Sequence, residues 1–279
     1  MRVDAHHHVW DLAVRDQPWT ASLPLLRRSF GLAQLWPEVT ANGIDATVVV
    51  QTICVREETP ELLELASANK WVVGVVGWVE LTDAGVVDEL DALRASPGGE
   101  RLVGIRHQVQ DEPDPRWLCR PDVRNGLRAV ADSGLAYDLL VTPSQLPSAI
   151  ETARDLPQLR FVLDHAGKPD IAGGRVAPWR DDIAALAALP NVAVKLSGLT
   201  TQADPAAWSV EQLRPYADEV LERFGPQRVM FGSDWPVCLL ASSYDDVVDT
   251  ACVLTGSLSA DERDAVFGRT AARWYELSL

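Results

Sequence analysis

Eight apolar runs of strand length alternate with longer helix-like segments along the 279 residues, and polar side chains collect where those runs end. The two patterns predict an α/β protein built as one (β/α)8 (TIM) barrel, a single domain over residues 1–279. Runs such as Thr47-Val48-Val49-Val50 and Phe161-Val162-Leu163 are continuously apolar rather than alternating. Parallel strands buried on both faces read this way.

The first strand is expected over residues 2–8, and the next two over Ala46–Gln51 and Val72–Val79. Leu102–His107, Leu135–Val141 and Arg160–His165 follow, then Val192–Ser197 and Arg228–Ser233. Between them, Glu57–Asn69 carries Leu62, Leu63, Leu65 and Ala66 on an apolar helical stripe. Asp83–Ala95, Asp122–Asp132, Gln145–Asp155, Arg180–Leu189, Val210–Phe224 and Tyr244–Leu254 repeat that scheme. Residues 260–277 read as a closing helix, with Ser259 as N-cap and Glu262 three residues on. The first connection, residues 9–45, is long and has one helical piece near Leu35–Asn42. A doubly wound open sheet is the runner-up; it needs a topological switch point that the alternation does not reveal.

Composition narrows the function classes. Hydrophobic residues are 47% and charged residues 23%, the profile of a soluble globular protein. No apolar run reaches membrane-spanning length and the N-terminus lacks signal-peptide regions, so a cytoplasmic protein without a membrane partner is expected. Forty acidic against 25 basic residues give a net charge of −15, which repels phosphate backbones and argues against a nucleic-acid partner. The four cysteines are far apart and form no Cys-x-x-Cys pair, so reduced thiols are expected rather than a zinc knuckle. Neither G-x-G-x-x-G nor a P-loop occurs. Assembly into a homo-oligomer is left open.

The chemistry concentrates at strand ends. Three of the five histidines are His6-His7-His8, at the tip of the first strand. Successive strand side chains point to opposite faces, so His6 and His8 share one face and His7 takes the other. An expression tag is usually six histidines or more, and a solvated His-rich terminus is the other plain explanation. His107 ends the fourth strand and His165 the sixth, Lys195 and Ser197 end the seventh, and Asp234 ends the eighth. Every histidine thus falls at the C-terminal end of an expected strand, where barrel active sites lie. Singly, each has a structural reading: His107 as a hydrogen-bonding core group, Lys195 pointing either way, Ser233-Asp234 as a helix cap. Jointly, His6, His8, His165 and Asp234 converge at one mouth. Three imidazoles and a carboxylate suit one divalent metal ion, zinc or a similar borderline ion. Such an ion polarises a carbonyl and acidifies bound water, and an adjacent carboxylate can move the proton.

Five segments, running from Asp4-Ala5-His6-His7-His8-Val9-Trp10 to Phe231-Gly232-Ser233-Asp234-Trp235-Pro236, carry a family resemblance. The others are Gly104-Ile105-Arg106-His107, Val162-Leu163-Asp164-His165-Ala166-Gly167-Lys168-Pro169 and Val194-Lys195-Leu196-Ser197-Gly198-Leu199. The chain resembles the amidohydrolase superfamily, in the branch of metal-dependent barrel hydrolases that contains sugar lactonases and 2-pyrone-4,6-dicarboxylate lactonase. The resemblance implies a barrel hydrolase with His6 and His8 as the first-strand metal pair and His165 as the sixth-strand histidine. It makes Asp234 the general base for water. Dinuclear members carry a bridging carboxylated Lys or a Glu on the fourth strand and a His on the fifth. Here those strands offer His107 and Tyr137-Asp138-Leu139-Leu140, which argues against two metals.

The expected substrate is a small-molecule sugar lactone, an aldonic-acid lactone such as an L-fucono- or L-rhamnonolactone. His165 and Asp234 are the expected catalytic residues. His107, Arg106, Lys168, Lys195, Trp10 and Trp235 are the expected substrate contacts. Two alternatives stand beside this reading. One is a metal-independent hydrolase of the 2-pyrone-4,6-dicarboxylate lactonase type; the other is a non-catalytic sugar-acid-binding barrel.

Overall fold

The computed structural model describes residues 1–279. Eight parallel strands follow chain order around one sheet: β1 (Val3–His7), β2 (Ala46–Val50), β3 (Val72–Gly77), β4 (Leu102–His107), β5 (Ala136–Leu139), β6 (Arg160–Leu163), β7 (Val192–Leu196) and β8 (Val229–Phe231). The ring closes where β1 meets the segment after β8. His7 and Trp235 form an isolated parallel bridge there, with His8 N donating to Trp235 O at 2.7 Å and Asp234 N to His6 O at 2.8 Å. The architecture is the expected (β/α)8 barrel.

The outer ring comprises α1 (Leu32–Ala41), α2 (Glu58–Ala68), α3 (Val86–Ala95), α4 (Pro121–Asp132), α5 (Leu146–Asp155) and α6 (Trp179–Ala187). It continues with α7 (Leu199–Gln202), α8 (Val210–Phe224), α9 (Tyr244–Leu254), α10 (Ala260–Asp264) and α11 (Thr270–Trp274). Two expectations need correction. The closing segment is not one helix: a π-helical turn at Ala265–Arg269 divides it into α10 and α11. Several strands stop short of the expected range, because their last residues leave the ladder to build the barrel mouth; β8 ends at Phe231 rather than Ser233.

Strand parity sorts the core into two bodies. Val48, Val50, Val76, Ala136, Val162, Ala193 and Met230 point inward and form one cluster, which Ala271, Trp274 and Tyr275 join at the closed end. Outward residues such as Val49, Ile105, Phe161, Val194 and Phe231 pack under the helices in the larger cluster. In β1, both Val3 and Ala5 belong to the inner cluster, so strict alternation would turn His6 outward. The register slips between Asp4 and His7, however, and that irregularity re-aims the strand tip.

Candidate active site

The slip in β1 delivers His6 and His8 to the mouth and sends His7 to the outer face, where its Nε2 lies 2.9 Å from Thr47 Oγ1. His8 Nδ1 is 2.8 Å from the Val50 carbonyl. A carbonyl only accepts, so Nδ1 is the donor and His8 turns Nε2 to the cavity. His6 Nε2 faces that nitrogen at 3.1 Å. Asp234 Oδ1 completes the triangle, 3.5 Å from His8 Nε2 and 3.7 Å from His6 Nε2. Asp234 Oδ2 lies 4.0 Å from His165 Nδ1, which is itself 2.9 Å from Ser197 Oγ.

Backbone conformation places these groups. Of the five non-glycine residues with positive φ, four follow β6 or β8: His165 (φ 52°), Ala166 (φ 50°), Lys168 (φ 53°) and Asp234 (φ 58°). Left-handed backbone at such residues costs about 1–3 kcal/mol each and concentrates at functional sites. Two glycines make room. A Cβ on Gly232 would come within 2.7 Å of His6 Cβ, and one on Gly198 (φ +66°) within 2.8 Å of the His165 ring.

A cavity of about 230 Å³ opens above these residues. His8, Arg106, His165, Lys168 and Asp234 line it, together with Trp19, Thr52, Gln108, Gln110, Asp111, Leu140 and Val237. Its volume is below the roughly 300–1,000 Å³ of sites for drug-sized ligands, a size for one small ring. Burial holds His165 neutral, with its pKa down to about 4, and burial likewise lowers Lys168. Burial would raise Asp234, but His165, His8 and Lys168 outweigh it and keep this carboxyl below the ordinary aspartate range. Asp234 is therefore a carboxylate at neutral pH.

The profile of the amidohydrolase family matches residues 3–277. The chain belongs to this family. The amidohydrolase is 40% identical over 289 aligned residues to an L-fucono-1,5-lactonase of Burkholderia multivorans, covering 99% of this chain and 96% of that one. An L-fucono-1,5-lactonase of Burkholderia ambifaria is 38% identical over 283 residues, with the same coverage. A crystal structure of a Burkholderia multivorans amidohydrolase with bound zinc matches with a TM-score of 0.94 and 39% identity, over 99% of each chain.

In this amidohydrolase the donor atoms of His6, His8 and Asp234 all lie within 4.8 Å of one another, and a second such group joins His6, Asp164 and His165. Two nitrogens and a carboxylate oxygen are a donor set that zinc accepts. Asp164 Oδ1 supports the fit. It is fully buried and has no hydrogen-bond partner, although Lys195 Nζ is 2.9 Å away, and it lies 3.4 Å from His6 Nδ1. A proton on Nδ1 could be given to that oxygen, which exposes the Nε2 lone pair to a cation.

Beneath His6 the top inward layer of the barrel is charged. Arg106 Nη1 donates to Asp164 Oδ2 at 3.0 Å and lies 3.4 Å from His6 Nε2, while Nη2 donates to Gln51 Oε1 at 3.1 Å. Lys195 Nζ contacts Asp138 Oδ2 at 2.5 Å and His6 Nδ1 at 3.0 Å. Burial and then Lys195 hold His6 far below the ordinary histidine range. Asp164 is also held well down, because Lys195, His6 and Arg106 overcome its burial.

Four expected substrate contacts lie elsewhere. His107 follows Arg106 in the same strand, and adjacent strand residues face opposite ways, so Arg106 turns inward and His107 outward. Trp78 Nε1 donates to His107 Nδ1 at 3.0 Å, His107 Nε2 donates to Glu112 at 2.8 Å, and the ring stacks on Trp117 at 4.2 Å. Lys195 points inward but one level too deep and is wholly buried. Trp10 donates to the Arg28 carbonyl at 2.7 Å and lines a separate cavity of about 310 Å³ beside α2, which holds none of the histidines. Trp235 lines another outer cavity, against Phe30 and Tyr244. The tryptophan that does line the central cavity is Trp19, from the long first connection. Lys168 reaches across to hydrogen-bond Gln110. Trp19, Gln108 and Gln110 were missed because they enter from loops, where no periodicity gives direction.

Proposed function

We propose that this amidohydrolase opens the ester ring of a sugar lactone, an L-fucono-1,5-lactone-like aldonolactone, with water as co-substrate. The convergence of His6, His8 and Asp234 carries the reading, with His8 and Asp234 lining a small polar cavity and His6 just beneath it. The L-fucono-1,5-lactonase relatives supply the substrate class. His6, His8 and Asp234 would hold one divalent ion, zinc by its donor set, with His165 beside it. When bound, such an ion polarises the lactone carbonyl and lowers the pKa of water.

The residues do the rest. Asp234, ionised at neutral pH, accepts a proton from water as the oxygen adds to the acyl carbon. The acyl–oxygen bond of the ring then breaks, and the departing alkoxide takes that proton back. Arg106 and Lys168 bring positive charge to the cavity wall, where carbonyl oxygen gathers negative charge. Thr52, Gln108, Gln110 and Asp111 offer hydrogen bonds to ring hydroxyls, and Trp19, Leu140 and Val237 offer apolar contact. One observation favours a metal-independent route: the Arg106 guanidinium stands 3.4 Å from His6 Nε2, a fixed cation already beside the reaction centre.

Ring opening releases a proton, so a pH-indicator screen of sugar lactones, run with added Zn²⁺ and after chelation, tests substrate and metal together. Turnover lost on chelation and restored by zinc is expected; unchanged turnover in metal-stripped protein selects the Arg106 route. Asp234→Asn is expected to fold and to lose turnover by at least about 10²-fold. Full activity in that variant removes Asp234 as the base.

A further inference from the structure

We propose that Tyr275, at the closed end of the barrel, is a positioning residue for His6, acting through Asp138 and Lys195. The inference rests on the lactonase reading and extends it to residues that no substrate can touch. Tyr275 follows α11, its side chain is buried, and its hydroxyl donates to the Asp138 carboxylate, 2.8 Å from each oxygen. Asp138 Oδ2 receives Lys195 Nζ at 2.5 Å, and the same ammonium lies 5.5 Å from the centre of the Tyr275 ring. Lys195 Nζ then reaches His6 Nδ1 at 3.0 Å and Asp164 Oδ1 at 2.9 Å. Asp138 Oδ2 and His6 Nδ1 lie in hydrogen-bonding positions around the ammonium, and Asp164 Oδ1 faces it as an ion pair.

Energetics separates this chain of contacts from ordinary packing. One level down, the barrel interior is filled with Val48, Val162, Ala193 and Met230. Fully buried ion pairs are often no more stabilising than well-packed apolar residues of the same volume, because desolvation offsets their attraction. Here they occupy the single layer that contacts His6. With a proton on Nδ1, His6 donates to Asp164; without one, it accepts from Lys195. In both cases the same pair grips the Nδ1 edge and fixes where Nε2 points. Tyr275 anchors the far end. Without its hydroxyl, Asp138 loses its second partner, and the carboxylate is free to draw Lys195 away from His6. Neither Tyr275, Asp138 nor Lys195 lines the central cavity, so they act on the site indirectly, through His6 and through the Asp164–Arg106 pair.

Tyr275→Phe removes one oxygen and keeps the ring. The expected result is a kcat about tenfold lower and zinc affinity, read by chelator competition, weaker by a similar factor. KM is expected to move no more than about twofold, since no ground-state contact is lost. Trp274→Phe, on the same floor but away from Asp138, serves as the packing control and is expected to lower thermal stability alone. If Tyr275→Phe does not accumulate as folded protein, Asp138→Asn carries the same measurements. The proposal is overturned if kcat and zinc affinity are unchanged in the folded variant, or if Trp274→Phe loses both to the same degree. Wild-type protein that turns over no lactone overturns the functional reading instead, and zinc affinity still reports on the positioning.

Discussion

His6, His7 and His8 divide between two faces within three residues, as a strand's period of two requires. His7 turns out to Thr47; His6 and His8 turn in towards Asp234. That His6 and His8 share a face was legible in the sequence; that the face is the inner one was not, because it depends on the slip in β1. The same rule applied to Arg106 and His107 would have excluded one of them from the cavity, and the structure excludes His107. His107→Phe is therefore expected to lower stability by about 1–3 kcal/mol, because Trp78 Nε1 and Glu112 lose a buried partner. Its kcat/KM per folded molecule is expected to stay near wild type. Thermal melts beside lactone kinetics check this, and a large kcat loss without a stability change would return His107 to the reaction. What periodicity could not convey is depth. Lys195 has the inward parity expected of a site residue, yet it sits a level below the cavity. The left-handed turns at His165 and Asp234 were equally hidden, since histidine and aspartate, although enriched at positive φ, adopt it in only a minority of positions.

Helices and strands were legible wherever local chemistry was redundant. Ser243 caps α9 by accepting from Asp246 N at 3.1 Å, and Asp246 Oδ2 accepts from Ser243 N at 3.0 Å in return. The hydrogen bonds from the Ser243 side chain, then its backbone, hold Asp246 below the ordinary aspartate range. A depressed carboxyl stabilises the fold above its unfolded pKa, and that stability is lost as pH falls through the folded value. Asp246→Ala is therefore expected to cost about 1 kcal/mol at pH 7. The gap from wild type should close in acid below the ordinary aspartate pKa of about 3.9. Melting curves at both pH values measure it, and a gap that widens in acid would contradict the capping account. The π-helical turn between α10 and α11 had no such signature. Its residues Ala265–Arg269 contain good helix formers, and Ala265, Val266, Phe267 and Gly268 are all buried. Contact across the chain is visible at Gly268, where a Cβ would lie 2.2 Å from the Met1 carbonyl oxygen. Such long-range packing leaves no trace in a local pattern.

For the whole molecule, strand order, layering and a closed barrel followed from the alternation of elements, whereas the contacts that close the ring did not. Strands β1 and β8 meet through an isolated bridge and the contacts of His6, His7, His8, Asp234 and Trp235 rather than a full ladder, so the seam of the barrel and its candidate metal site are the same place. A cation held by His6, His8 and Asp234 would clasp the two ends of the sheet. Zinc at a thousandfold excess over its Kd is expected to add about 4 kcal/mol of stability to the wild-type protein. It should add much less to Asp234→Asn, with the melting temperature as readout, and equal shifts in both would place the zinc elsewhere. The seam also sets the order in which the protein becomes competent. During synthesis the two imidazoles of β1 emerge before Asp234, the third member of the candidate metal group, which comes with the segment after β8. A nascent chain thus carries half a site through most of its elongation. On the proposed reading, activity would switch on only when the ring shuts, and catalysis would report that the barrel is complete.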